Sequence, residues 1–169
     1  SLEKLEGLKK LSPRTFESLY QQNPTVTGGN KIKKDWFIYA DTYPVSLSLD
    51  MWIDGAYTDN SKNDPTGILL TAFDSSKNTL YFVNAFHAYM ELPELIEHIK
   101  NIANINGLTN KSRIFIEPKA SGKSIKQVLN KEINIPVIEI QSYLIREGKE
   151  ARVQLAAPYF QSSKVKLIE

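Results

Sequence analysis

The chain contains no cysteine. Disulfides, thiolate zinc sites and a cysteine nucleophile are therefore excluded, and the composition fits a reducing compartment. Histidine is nearly absent: only His87 and His98 occur. Neither stands at a spacing that would make a metal pair or a Ser-His-Asp triad. His98 falls in a helical stretch close to Glu94 and Glu97 and reads as a solvated group. No apolar run exceeds strand length, so nothing reads as a membrane span. The opening "SLEKLEGLKKL" lacks the apolar core of a secretion signal. Charge of one sign is lacking too: 21 Lys and Arg against 19 Asp and Glu leave +2, so any basic footprint for a polyanion must be local. Internal repeats and low-complexity tracts do not occur.

What remains is 169 residues, 41% of them hydrophobic, enough for one domain with a real core and too few for two of ordinary size. Leucines at 2, 5, 8 and 11 among charges suggest a short amphipathic helix. Ser12 as a cap and Pro13 at the first position start a second helix, "PRTFESLYQQ", stopped at Asn23-Pro24. "TVTGGNKIKKDWFIY" reads as an irregular connector, an arm leading into the domain. From Tyr43 the character changes. "PVSLSLDMWID", "TGILLTAFD" and "TLYFVNAFHAYM" read as three strands of an antiparallel meander, with "SSKN" as a turn between the last two. "ELPELIEHIKNIANING" has apolar residues at 92, 95, 96, 99, 102 and 103, the helical period, and Gly107 ends it. "SRIFIE" is a buried strand, "SGKSIKQVLN" a helix, "IPVIEI" a strand, "GKEARVQLAAPYFQS" a helix and "KVKLI" a last short strand. The order β-β-β-α-β-α-β-α predicts an α/β fold: an RNase H-like mixed sheet, meander plus parallel strands, with helices on both faces.

Gly122-Lys123-Ser124 imitates the end of a phosphate-binding loop. Such a loop needs a glycine at the position held by Glu117, and a carboxylate there would repel the phosphates. A nucleotide site is therefore not predicted; the stretch draws attention instead to Glu117. It ends a buried apolar strand just before Pro118, where α/β sheets gather functional groups. A buried carboxylate wants a cation or a donor. Asp50 is the best partner, because an Asp borne on a strand runs against propensity and asks for a reason. Asp64 stands immediately before the second strand. Asp54 and Asp59 read as ordinary loop acids. Two carboxylates on adjacent strands with a third from a loop make a hard oxygen site that suits Mg2+ or Mn2+. Two such ions about 3.5–4 Å apart activate water and stabilise the leaving oxygen in phosphodiester cleavage. The bland readings stand beside these: Asp50 as a turn or edge acid held by backbone amides, and Glu117 paired with Lys119 or capping the next helix. Phe82, Phe86, Tyr89 and Tyr159 read as core rather than as stacking platforms for bases.

Four stretches together resemble the C-terminal nuclease domain of the large terminase subunit of tailed bacteriophages. They are "FESLYQQNPTVTGGNKIKKDWFIYAD", "SLSLDMWIDGAYTDNSKNDPTGILL", "IFIEPKASGKSIKQVL" and "GKEARVQLAAPYFQSSKVKL". The resemblance implies a metal-dependent endonuclease cutting concatemeric double-stranded DNA during packaging by a two-metal mechanism. It gives Asp50 and Glu117 the positions of catalytic, metal-binding acids and Asp64 that of an accessory metal acid. It gives Lys149 and Arg152 basic positions on the late helix, where a solvated face is the alternative. Lys119 and Lys123 join them as candidate DNA contacts; Lys31, Lys33 and Lys34 are looser ones. The resemblance further implies an N-terminal arm over 1–42 from an ATPase domain of the same polypeptide, and a nuclease domain over 43–169. A third acid is implied beyond the last strand, past Glu169, which leaves this piece weak or inactive alone. Portal and small terminase subunit are the implied partners, the host bacterial cytoplasm the implied location, and no membrane is involved. A resolvase- or transposase-type RNase H-like nuclease and a non-catalytic DNA-binding module are the alternatives.

Overall fold

Alternation of apolar and polar residues in the first meander strand sets up the whole sheet. In the computed structural model, which describes residues 6, 32–55, 65–117, 120–144, 146 and 148–169, this strand is β2 (Leu49–Asp54). Leu49, Met51 and Ile53 are buried on one face, and Asp50, Trp52 and Asp54 point to the other. It pairs antiparallel with β3 (Thr66–Asp74), which pairs antiparallel with β4 (Thr79–Ala88). These are the three meander strands expected. The turn between β3 and β4 is built by Asp74, whose Oδ1 accepts from the Ser76 hydroxyl at 2.6 Å and from the amides of Ser76 and Lys77 at 3.0 and 3.2 Å. Helix α1 (Leu92–Ile105) buries Leu95, Ile96, Ile99, Ile102 and Ala103, the set that the helical period selects. It stops in a Schellman motif: Gly107 takes φ +67°, the Leu108 amide reaches the Ala103 carbonyl and the Gly107 amide reaches that of Asn104.

The remaining strands and helices are β1 (Ile38–Ala40), β5 (Arg113–Ile116), α2 (Ala120–Glu132), β6 (Val137–Glu139), α3 (Lys149–Gln161) and β7 (Val165–Ile168). Gly122, Lys123 and Ser124 lie in the first turns of α2. The seven strands run in the order β1-β7-β4-β3-β2-β5-β6, and the pairs of β1 with β7, β4 with β7, β2 with β5 and β5 with β6 are parallel. Met51, Leu70, Ile114 and Ile116 of the central strands meet Leu95 and Ile99 of α1 and Ile125 and Leu129 of α2 in one core, all eight fully buried. On the opposite face, Phe160 of α3 stands edge-on to Phe82 of β4, with ring centroids 6.0 Å apart, and to Phe37 at 5.5 Å. The mixed RNase H-like sheet with helices on both faces is the architecture that the element order predicts.

Three readings change. Strand β1 (Ile38–Ala40) falls inside the stretch read as an irregular arm, yet it is the edge strand beside β7. Tyr89 and Tyr159, read as core, are 39% and 58% exposed. Apart from the helical Glu6, the helices read over residues 2–11 and 13–22 lie outside the described residues.

Leu70 is completely buried in the central strand β3, so Leu70→Ala should lower unfolding stability by on the order of 3 kcal/mol in urea titrations. The hydroxyl of Ser76, ahead of the backbone amides of Lys77 and Ser76, holds the Asp74 carboxyl below its ordinary 3.8 against the opposing effect of burial. A depressed folded value means stability present above the ordinary value and lost as pH falls through the lower one. Asp74→Asn should therefore flatten the acid limb of a pH–stability curve below pH ~4.

Candidate metal centre

The parallel register of β2 on β5 decides which acids meet. Asp50 lies beside Arg113, and Ile53 beside Ile116. The next residues along the two strands are Asp54, which ends β2, and Glu117, which follows β5 directly. Alternation sends Asp50, Asp54, Arg113, Phe115 and Glu117 to the same face, away from α1 and α2. The expected pairing of Asp50 with Glu117 is therefore not formed. Asp50 stands level with Arg113, four residues short of Glu117, or about 13 Å along the strand. That is too far for one ion to bridge.

Asp50 has another reason to be on a strand. Its Oδ1 accepts from the Arg113 amide at 3.0 Å and from Nε at 3.1 Å, while Oδ2 accepts from Nη2. This fork holds the Arg113 guanidinium charge above its ordinary range, against the effect of desolvation. The guanidinium also lies over the Phe115 ring at 5.2 Å, and Phe115 stacks on Trp52 with centroids 4.1 Å apart. The indole then donates to Thr71 Oγ1 at 2.8 Å. Asp50 is thus one end of a satisfied cross-strand ladder.

At the other end of the same two strands lies a cleft of about 390 Å³, lined by Asp54, Glu117, Trp52, Gly67, Phe86 and Ile140 among others. Gly67 faces Asp54 directly across β3 and carries no side chain to cover it. The Glu117 side chain is only 12% exposed, and Nη1 of Arg152, from the first turns of α3, donates to its Oε1 at 3.2 Å. The Arg152 Nε is buried with no hydrogen-bond partner. Two carboxylates ending neighbouring strands in one cleft, one of them already drawing a cationic side chain, form a donor set that fits a hard divalent cation. Among the described residues no cluster of three or more His, Asp or Glu side chains forms.

The other expected residues are placed as follows. Asp64 and Lys119 lie outside the described residues. Lys123 is exposed on α2, and Lys149 opens α3. Arg152, expected as a DNA contact or a solvated group on the late helix, donates to Glu117. Asp54 was read as an ordinary loop acid, yet it is the residue that joins Glu117 in the cleft. The signal for it was present: like Glu117, Asp54 is the acid that terminates an apolar strand, whereas Asp50 still has four strand residues to follow.

No family model matches the sequence, and no curated protein matches it. Solved structures do match. The nuclease domain of the P22 large terminase aligns with 82% of this chain and 70% of its own, at a TM-score of 0.57 and 12% identity. The large terminase nuclease of the thermophilic phage G20c aligns with 79% of this chain and 71% of its own, at 0.52 and 11%. The chain has the terminase nuclease fold. It spans 60% of the length of another match, the large terminase nuclease domain of bacteriophage SPP1, solved with bound Mn, at a TM-score of 0.48 and 14% identity.

Within this terminase nuclease fold, Asp50→Asn should cost about 1 kcal/mol by weakening the fork to the half-exposed Arg113. It should leave Mn2+ binding in titration calorimetry unchanged. A loss of binding would return Asp50 to the metal site.

Proposed function

We propose that this chain is a divalent-metal-dependent DNA endonuclease, the nuclease part of a phage DNA-packaging terminase large subunit. The observation that carries the reading is the joint position of Asp54 and Glu117, two carboxylates finishing adjacent parallel strands in one cleft. The likeness to the P22 and G20c nuclease domains supports it at the level of the fold.

In this reading Asp54 and Glu117 hold Mg2+ or Mn2+, with Asp64 as a further acid. A bound divalent ion supplies Lewis-acid activation of water and neutralises charge at the scissile phosphodiester. The chain's own residues do the rest. Asp54 is the exposed acid of the cleft and Glu117 the largely buried one. Trp52, fixed by its stack on Phe115 and its bond to Thr71, forms a rigid wall beside them. Lys123, Lys149 and Arg152 are the candidate contacts to a duplex backbone, which gives sequence-independent and salt-sensitive binding. Double-stranded DNA is the substrate, and an ATPase domain of the same polypeptide, the portal and the small terminase subunit are the partners. The bacterial cytoplasm is the location; no helix among the described residues is long and apolar enough to cross a membrane.

Asp54→Asn and Glu117→Gln should each weaken Mn2+ binding by on the order of ten-fold or more, because each removes a charged ligand from a small set. Both should lower Mn2+-dependent nicking of supercoiled plasmid. Mn2+ binding by Asp54→Asn at wild-type strength would sink the site assignment. Cutting of four-way junctions far faster than linear duplex would move the reading to a resolvase-type nuclease.

A further inference from the structure

The second face of the sheet carries two arginine–carboxylate pairs, and they are built differently. Arg113 grips Asp50 as a fork with side-chain and main-chain bonds, and its guanidinium is also stacked on Phe115. Arg152 meets Glu117 end-on through Nη1 at 3.2 Å, longer than the roughly 2.7–2.9 Å of a strong charge-assisted bond. Its Nε is buried and unpaired, although a guanidinium offers five donors in a planar fork suited to bidentate partners. Leaving such a donor unmet inside a protein is unfavourable. The arrangement neutralises Glu117 without satisfying Arg152.

The position of the pair matters as much as its geometry. Glu117 shares the cleft with Asp54. A divalent ion arriving at these carboxylates would repel the guanidinium and compete for the same oxygen. The Arg152 side chain is 32% exposed, so a displaced guanidinium has solvent to turn into. A phosphate oxygen pair beside the cleft would then meet the fork that Glu117 leaves unfilled.

We infer that Arg152 is an exchangeable stand-in for the cation: it holds Glu117 while no metal is bound, and moves to a backbone phosphate of the DNA when a divalent ion takes the carboxylate. This rests on the assignment of Asp54 and Glu117 as metal ligands. It makes Arg152 a positioning residue that couples metal binding to substrate binding, with each event favouring the other.

The test uses the 169-residue chain, MnCl2 and a short DNA duplex. Titration calorimetry without DNA should show Arg152→Met binding Mn2+ about ten-fold more tightly than wild type, the order of one partly exposed charge-assisted bond removed from competition. Arg152→Lys keeps the charge and should bind Mn2+ within about two-fold of wild type. Duplex binding followed by fluorescence anisotropy should tighten when Mn2+ replaces EDTA in the wild type. That gain should shrink in both variants, since neither carries the fork. If Arg152→Met fails to fold by circular dichroism, Arg152→Gln carries the same measurements. Equal or weaker Mn2+ affinity in the neutral variant, with wild type binding normally, overturns the exchange and leaves the metal site standing. Absence of Mn2+ binding in both wild type and variant overturns the metal site itself, and the exchange with it.

Discussion

The parallel pairing of β2 with β5 is the constraint on which the rest of the molecule hangs. Met51 and Ile53 on one strand and Ile114 and Ile116 on the other are at most 2% exposed, and they fix the register by burial. A slip of one residue would turn the shifted strand's side chains to the wrong face and expose two large apolar groups. The same register sets Asp54 and Glu117 at one level, although two carboxylates in a shared cleft repel each other. The acids therefore do not hold themselves in place. The apolar face beneath them supplies the stability that their proximity opposes, and a bound or built-in cation relieves the remainder.

That division of labour explains why the two ends of one strand pair behave differently. At the start of β5, Asp50 and Arg113 satisfy each other, and the stacked rings of Phe115 and Trp52 seal the ladder. Nothing in this arrangement needs a ligand. At the finish, Asp54 and Glu117 share a cleft, and the guanidinium that reaches Glu117 has an unmet donor of its own. Two strands and one face thus carry a closed polar pair at one end and an open acidic cleft at the other. Only the second is suited to exchange with solvent species.

Much of the fold was legible in the sequence because most of its elements follow local rules. The period-two strands, the helical period of α1 and the glycine stop at Gly107 all depend on neighbours within a few residues. What was not legible depends on partners far along the chain. Ile38–Ala40 looks like a connector because three residues carry no period; it becomes a strand only by pairing with Lys166–Ile168. The expected pairing of Asp50 with Glu117 missed for the same reason: the register puts Asp54, not Asp50, level with Glu117. That a strand-borne Asp needs a partner was correct, but the partner is Arg113, 63 residues away in sequence, and only the register reveals it. Glu117 could be singled out because a strand-terminal acid is a local pattern.

Helix α3 shows how the remaining ambiguity has a physical content. It has no apolar stripe: Val153, Leu155 and Tyr159 are 37%, 68% and 58% exposed. Propensity and pattern therefore say that it is a helix, but not which side faces the sheet. Its seating comes from its two ends. Near the C-terminus, Phe160 is clamped edge-on by Phe82 and Phe37. Near the N-terminus, Arg152 reaches Glu117 by a long polar contact. An aromatic clamp resists small displacements because dispersion contacts fall off steeply with distance. A single charged contact at the cleft yields to any stronger cation. The helix is thus anchored at the end remote from the acids and most easily released at the end beside them, which is where a change of partner at Glu117 would have to be accommodated.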